Sequence, residues 1–285
     1  MRVLITGAAG QVGRALLASA PKGWQVEGVT RNDCDLADAA ALHELVTARA
    51  PDWLINCAAY NAVDRAETEP DLAYAVNRDA VGAMADALRE GGGRLLHIST
   101  DYVFDGRLSR PILPGDDPHP VNAYGRSKLA GEEMAGQEAI VCRTSWVHAP
   151  GHANFVTNML DLMRQRDELR VVTDQIGAPT AASGLARVLW GLVQHGRPGL
   201  WHHRDAGVAS RYDIAVAVAE EALALGLIAR APAIVPVASV DFPAAAARPG
   251  FTLLDDSATR ALLGHPARHW REGVRETLLA EAARG

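Results

Sequence analysis

Lysine is nearly absent: Lys22 and Lys128 are the only two in 285 residues, although Lys and Arg together number 28. Arginine keeps its proton at any physiological pH, so a lysine within an ordered segment points to a role that a guanidinium does not fill. Cysteine is almost as scarce. Cys34, Cys57 and Cys142 are odd in number, scattered, and lack Cys-x-x-Cys spacing, which argues against a zinc or redox site and leaves them as small buried hydrophobes in a reducing compartment. No apolar run reaches the roughly 18 residues of a membrane span. Val3-Leu4-Ile5 before Thr6-Gly7 is too short for a signal peptide. There is no basic tract, and the net charge is -6, which argues against non-specific nucleic-acid binding. The expectation is a cytoplasmic protein that engages neither membrane nor nucleic acid, and that holds any anionic ligand with individual arginines or helix ends.

What is present is ordinary for a globular chain, 48% hydrophobic and 22% charged. The length suits one large α/β unit or two lobes sharing a cleft. Arg2 to Thr6 reads as a β-branched strand that runs into Gly7-Ala8-Ala9-Gly10-Gln11-Val12-Gly13 and then a helix from Arg14 to Ala20. Strand, glycine turn and helix in this order form the first unit of a dinucleotide-binding fold. Glycine lets the backbone approach a pyrophosphate, and the helix start supplies unpaired N–H groups. A glycine turn without ligand is the alternative on these residues alone.

A second strand over Gln25 to Thr30 is followed by Thr30-Arg31-Asn32, with no acid at its tip. In such folds this tip meets the adenosine ribose, so Arg31 favours a 2′-phosphate and NADP(H), with NAD(H) as the alternative cofactor. A solvated surface arginine is the competing reading. The glycine spacing resembles that of the short-chain dehydrogenase/reductase superfamily, and that resemblance implies that Asp35-Leu36 lies beside the adenine; Asp38 suits the N-cap of a helix to Arg49. Trp53 to Cys57 forms the next strand, and Ala58, Ala59 and Tyr60 are small or flat enough at its end to let a cofactor lie on the backbone. Pro70 opens a helix in which Asn77 is polar among apolar neighbours; it holds a backbone kink or an ordered water near Lys128, with a place on the surface as the bland alternative. Arg94 to Ser99 is a strand ending in Ser99-Thr100, whose hydroxyls suit a substrate carbonyl beyond the strand end. A long Gly/Pro/Asp loop from Asp105 to Val121 then precedes Tyr124-Gly125-Arg126-Ser127-Lys128. Residues four apart share a helix face, so Tyr124 and Lys128 point the same way, and an adjacent ammonium favours the ionised phenol. A chance pairing is the bland alternative.

Beyond Trp146 the pattern gives a helix from Asn154 to Arg166, a strand from Leu169 to Thr173, a helix from Ala182 to Gln194 and a strand from Gly199 to His203. A helix from Tyr212 to Leu223, an irregular connector from Pro232 to Pro249 and a last helix from Glu272 to Ala283 complete the chain. His202 and His203 alternate faces on a strand and make a poor metal site.

Long uninterrupted stretches resemble a known family. They are Gly10-Gln11-Val12-Gly13, Ala62-Val63-Asp64-Arg65-Ala66-Glu67, Ser99-Thr100-Asp101-Tyr102-Val103-Phe104-Asp105-Gly106, the run from Asn122 to Glu132, Arg143-Thr144-Ser145-Trp146-Val147, and Asp174-Gln175-Ile176-Gly177-Ala178-Pro179-Thr180. They resemble the dTDP-4-dehydrorhamnose reductase family within the extended short-chain dehydrogenases that act on nucleotide sugars. The resemblance implies a Rossmann-like α/β fold, a doubly wound parallel sheet with a smaller C-terminal α/β substrate lobe. The cofactor domain would be 1–148, with 182–206 returning to it, and the lobe 149–285. It implies Thr100, Tyr124 and Lys128 as catalytic. Gly7, Gly10, Gln11, Val12, Gly13, Arg31, Asp35, Leu36, Ala58, Ala59 and Tyr60, together with Tyr124 and Lys128, would hold the cofactor. Asn61, Val63, Thr100, Asp101, Trp146 and Arg248 would border the nucleotide-sugar substrate. The same triad serves an epimerase or a reductase of another ketosugar, and some relatives are non-catalytic regulatory subunits. His148 and Thr252 depart from the family pattern on the expected substrate side. Some relatives form a magnesium-bridged dimer through an acid on the first helix; with Arg14-Ala15 here, magnesium is not expected, and a monomer or weak homodimer is.

Overall fold

The structure is a computed structural model and describes residues 1–264, 266 and 268–284. The chain opens with β1 (Arg2–Thr6), α1 (Gln11–Ala18), β2 (Gln25–Val29), α2 (Ala39–Arg49), β3 (Trp53–Asn56) and the short α3 (Val63–Ala66). Helix α4 (Pro70–Tyr74) widens into a π-turn at Ala75–Asp79 and resumes as α5 (Ala80–Gly91), followed by β4 (Arg94–Thr100), α6 (Ala123–Ala135), β5 (Ile140–Thr144) and β6 (Val147–His148). The second half contains α7 (Phe155–Met163), β7 (Glu168–Val172), β8 (Ile176–Gly177), β9 (Thr180–Ala181), α8 (Ala182–His195), β10 (Gly199–His202), β11 (Ala209–Ser210) and α9 (Arg211–Ala224). Strand β12 (Ala233–Val237), α10 (Ser257–Leu263) and α11 (Trp270–Ala282) close it.

The main sheet has the order β10-β5-β4-β3-β1-β2, and every pairing in it is parallel. Its central strands are covered on both sides, as parallel sheets require. Alternation along them splits the core in two. Leu4, Leu54 and Leu95 pack with Leu42, Val46, Met84 and Leu88 on one face, while Val3, Ile5, Trp53, Ile55 and Leu96 meet Leu16, Leu185, Leu189 and Trp190 on the other. The chain therefore returns through α8 and β10 to complete the sheet after β5. A separate core joins α7, β7, α9 and α11 through Val156, Leu160, Val171, Ile214, Val218 and Leu278. The chain moves outward from β1 to β2 and then back across to β3, so the crevice beyond the ends of β1 and β3 is the topological switch point.

Several boundaries differ from the sequence reading. Helix α1 starts at Gln11, three residues early, because Gly10 is extended and bonds back to Gly7 O at 2.9 Å. The Pro232 to Pro249 connector contains a strand: β12 pairs in parallel with β7, and Pro236 is tolerated because a two-stranded sheet leaves one side of β12 without a partner strand. Asn77 is fully buried. The π-turn lets its Nδ2 donate to Ser127 Oγ at 2.9 Å and to Tyr60 O at 3.1 Å, while its Oδ1 accepts from the Tyr60 N–H at 2.9 Å. Asp38 caps α2 by accepting from the Ala41 N–H.

The π-turn also brings backbone hard against α6. A Cβ on Gly131 would stand 2.0 Å from Asn77 O. Alanine normally gains about 1 kcal/mol over glycine inside a helix, but forced overpacking costs about 1–3 kcal/mol, and here the obstacle is backbone. Gly131→Ala is expected to lower the urea-unfolding free energy by about 1–3 kcal/mol. An unchanged midpoint would show that the two helices separate freely.

Candidate active site

The glycine turn lies at the switch point. Gly7 has φ +66°, and a Cβ there would sit 2.8 Å from the Ala58 nitrogen. A Cβ on Gly13 would be 2.4 Å from Gly7 O. Glycine is thus required on both the β3 side and the helix side. Helix α1 starts from Gly10 with no side-chain cap, so its first N–H groups remain available to an anion. This cradle fits the pyrophosphate of a dinucleotide. Gly10, Gln11, Val12, Ala58 and Ala59 line a cleft of about 350 Å³ whose far wall is Thr100, Tyr124 and Lys128. It continues into a hollow of about 760 Å³ that shares Gln11, Asn61, Val63, Tyr102, Trp146 and Arg211.

Helix α6 is aimed by its cap. Asn122 accepts from the Gly125 N–H at 2.7 Å and donates to Ala247 O at 2.8 Å. Tyr124 is buried, stacks edge-on to Tyr102 with centroids 5.7 Å apart, and donates to Asn61 Oδ1 at 3.4 Å. Burial pushes its phenol up, partly offset by Thr100. The sequence reading expects Lys128 to pull the phenol down; here burial dominates, and Asp101 and Tyr102 push the same way as burial. Lys128 is 2% exposed and donates to Ile98 O at 2.7 Å. Burial draws its ammonium down to about 8, against the opposing pull of Glu132 and Cys57. Thr100 donates to Asp101 Oδ1 at 3.0 Å and accepts from the Tyr102 N–H at 3.1 Å. Asp101 also accepts from Thr252 at 2.6 Å. Burial lifts its carboxyl to about 6, opposed by the Thr252 and Thr100 hydroxyls.

On the outer side, Trp146 adopts a positive φ of 47°, uncommon for a bulky residue, and its ring lies 3.9 Å from the Arg211 guanidinium carbon. Arg211 also stands 4.9 Å from the Phe155 ring. Arg248 reaches the outer hollow but is already engaged, donating to both carboxylate oxygens of Asp64 at 3.0 and 2.7 Å and to Ala246 O.

Not every expected site residue reaches the cleft. Tyr60 turns away, its hydroxyl donating to Glu69 at 2.6 Å and its backbone committed to Asn77. Arg31 and Asp35 are exposed near the end of β2, and half-buried Leu36 packs on the core; none of them lines either hollow. His148 does not lie on the substrate side. It is 1% exposed and bonds Thr277 in α11, and burial draws it down to about 4. Thr252 stands behind Asp101 instead of facing the cleft. His202 and His203 are buried, and among the described residues no group of three or more His, Cys, Asp or Glu is placed to hold a metal. The sequence reading passed over Arg211 and His97. Arg211 begins α9 behind a Ser210–Asp213 capping box, a local signal for a helix start that says nothing about a cleft.

A glycine cradle at the switch point of a parallel sheet, opening onto a buried Tyr and Lys one helical turn apart, defines a Rossmann-type dinucleotide-dependent oxidoreductase or epimerase. Comparison with known proteins narrows the class: the chain belongs to the family described as the RmlD substrate binding domain, whose model matches residues 1–283. It is 41% identical over 287 residues to a dTDP-4-dehydrorhamnose reductase of Mycolicibacterium smegmatis, covering 98% of this chain and 85% of that one. The crystal structure of a dTDP-4-dehydrorhamnose reductase from Clostridium acetobutylicum superposes with a TM-score of 0.91 at 34% identity, covering 98% and 99% of the two chains. The same enzyme from Bacillus anthracis, in complex with NADP, gives 0.91 at 32% identity with the same coverage.

The buried carboxyl of Asp101 carries a pH signature. Its folded value of about 6 lies above the unfolded one near 3.8, so its contribution is full below pH 4 and is lost as pH rises through 6. That interval corresponds to about 3 kcal/mol. Asp101→Asn should therefore gain roughly that much relative to the wild type between pH 4 and 7 in paired denaturant titrations. A stability difference that is flat across this range would show that Asp101 ionises as it does in the unfolded chain.

Proposed function

We propose that the protein is an NAD(P)H-dependent dTDP-4-dehydrorhamnose reductase, converting the C4 ketone of dTDP-4-dehydro-6-deoxy-L-mannose to the alcohol of dTDP-L-rhamnose. The observation that carries this reading is the placement of Thr100, Tyr124 and Lys128 on one wall of the cleft whose other end is the glycine cradle. When bound, the reduced nicotinamide supplies the hydride that the carbonyl carbon accepts. Tyr124 holds the proton for the carbonyl oxygen, and its high folded pKa keeps that proton in place until negative charge develops. Thr100 orients the same oxygen. Lys128 steadies the phenolate left behind and the ribose of the cofactor. Asn61, Val63 and Trp146 border the sugar, with the Arg211 guanidinium fixed against the indole as a cation facing the diphosphate. The test is mass spectrometry of the product formed from dTDP-4-dehydrorhamnose with NADPH: a product two mass units heavier is expected, and an isomer formed without NADPH consumption would point to epimerisation.

We assign 1–148 and 182–206 to cofactor binding and 149–285 mainly to substrate binding, and place the enzyme in the cytoplasm. A monomer or weak homodimer follows from α1, where Arg14 and Ala15 offer a magnesium ion no carboxylate. Sedimentation should be unchanged by a chelator, and a dimer that dissociates on chelation would refute this.

Tyr124→Phe removes the hydroxyl that carries the transferable proton and leaves the ring in place. It is expected to lower single-turnover hydride transfer by about 100-fold or more while leaving the NADPH dissociation constant within about twofold. Near-normal transfer in this variant would exclude Tyr124 as the donor.

Arg31, exposed at the end of β2, is assigned to the 2′-phosphate. Arg31→Ala should weaken NADPH by about tenfold and leave NADH unchanged. Equal effects on the two cofactors would remove the assignment.

A further inference from the structure

Behind the cleft a chain of buried polar groups crosses three strands, from Thr6 through Asn56 and His97 to Lys128. Thr6 Oγ1 donates to Asn56 Oδ1 at 2.7 Å, and the Ala58 N–H donates to the same oxygen at 3.1 Å. Asn56 Nδ2 is 3.0 Å from His97 Nδ1, and His97 Nε2 is 3.2 Å from Lys128 Nζ. None of the four side chains belongs to a residue more than 2% exposed.

The direction of each bond follows from what each group is able to do. A backbone N–H only donates, so Ala58 fixes the Asn56 oxygen towards itself and the Asn56 amide nitrogen towards His97. That nitrogen also only donates, so His97 Nδ1 accepts. A neutral imidazole accepting at Nδ1 carries its proton on Nε2. Nε2–H then points at Lys128 Nζ. An ammonium has no lone pair to receive it, so the 3.2 Å contact favours the neutral amine, which accepts from His97 while donating to Ile98 O at 2.7 Å, over the ammonium.

We infer that His97 is a positioning residue that sets the protonation state of Lys128, stabilising the free amine so that Lys128 exchanges a proton near neutrality during turnover. The inference rests on the reading of Lys128 as catalytic. A group that titrates there can return a proton to the site after each cycle and take its replacement from water, which a permanent cation cannot do. The neighbouring charges do not override this. Glu132 favours the ammonium but is held by Arg143 of β5 at 2.8 and 2.6 Å. Burial pushes the Cys57 thiol up, so it stays neutral, and the buried phenol of Tyr124 is neutral as well. Burial holds His97 well below its usual value.

The scarcity of lysine makes the test direct. Lysine-selective ¹⁵N labelling of the full chain gives two side-chain signals, assigned with Lys22→Arg. Lys128 is expected to titrate near pH 8, well below a free lysine side chain. Histidine ring ¹⁵N spectra, assigned with His97→Gln, should show His97 as the neutral Nε2–H tautomer. In Asn56→Asp the carboxylate accepts instead of donating, so His97 should switch to the Nδ1–H tautomer and the Lys128 midpoint should rise. A merely structural His97 would not make that switch. An Nδ1–H tautomer or imidazolium in the wild type, or Lys128 titrating at the value of a free lysine side chain, overturns the inference even if Asn56→Asp fails to fold. None of these readings needs turnover, so the inference and the catalytic assignment fail separately.

Discussion

Burying Lys128 at 2% exposure is the constraint on which the site depends. An isolated ammonium removed from water is very costly, so the amine must be held by partners at fixed positions. Ile98 O comes from the end of β4, His97 from the same strand, and Glu132 from the next turn of α6. Those positions require α6 to lie close over β4 and the π-turn. Gly125 and Gly131 make the approach feasible, since a Cβ on either would meet the carbonyl of Tyr102 at 2.2 Å or of Asn77 at 2.0 Å. Asn77 then ties the π-turn to α6 through Ser127. The buried lysine, the glycines and the kinked helix are therefore parts of one arrangement.

Its electrostatics follow the same logic. The Arg143–Glu132 pair is bidentate and almost wholly buried, and Arg143 also lies 4.9 Å from the Phe104 ring. Such a pair contributes little net stability once desolvation is counted, but removing one partner leaves an unpaired buried charge. Its value here is positional, because it limits how strongly Glu132 acts on Lys128. Arg211 plays a related part on the outer wall, where Trp146 and Phe155 hold its guanidinium plane and burial makes its charge more effective towards an anion.

The divergences between sequence and structure share one cause. Pro236 and its neighbours were unreadable as a strand because proline is a poor strand former, and only the presence of β7 alongside provides a register. His148 follows Trp146 and Val147 at the cleft, yet the alternation of side chains along β6 sends it to Thr277 in α11. Thr252 reaches Asp101 from 151 residues away, which no local pattern contains. Arg248 was expected at the substrate, and the Asp64 carboxylate, 184 residues earlier, engages it.

Local chemistry was enough for the first layer of the answer. The run from Arg2 to Gly13 specifies a strand, a tight turn and a helix start, because only glycine tolerates φ +66° and the close contact with Ala58. Residues four apart on α6 share a face by helix geometry alone, so Tyr124 and Lys128 were legible as a pair. What the sequence by itself did not determine is the environment of that pair. Whether burial raises the phenol, which nitrogen of His97 carries the proton, and which arginine lines the cleft all depend on groups brought together from distant segments. Hydrogen-bond direction and desolvation act through space, and only the folded chain defines that space.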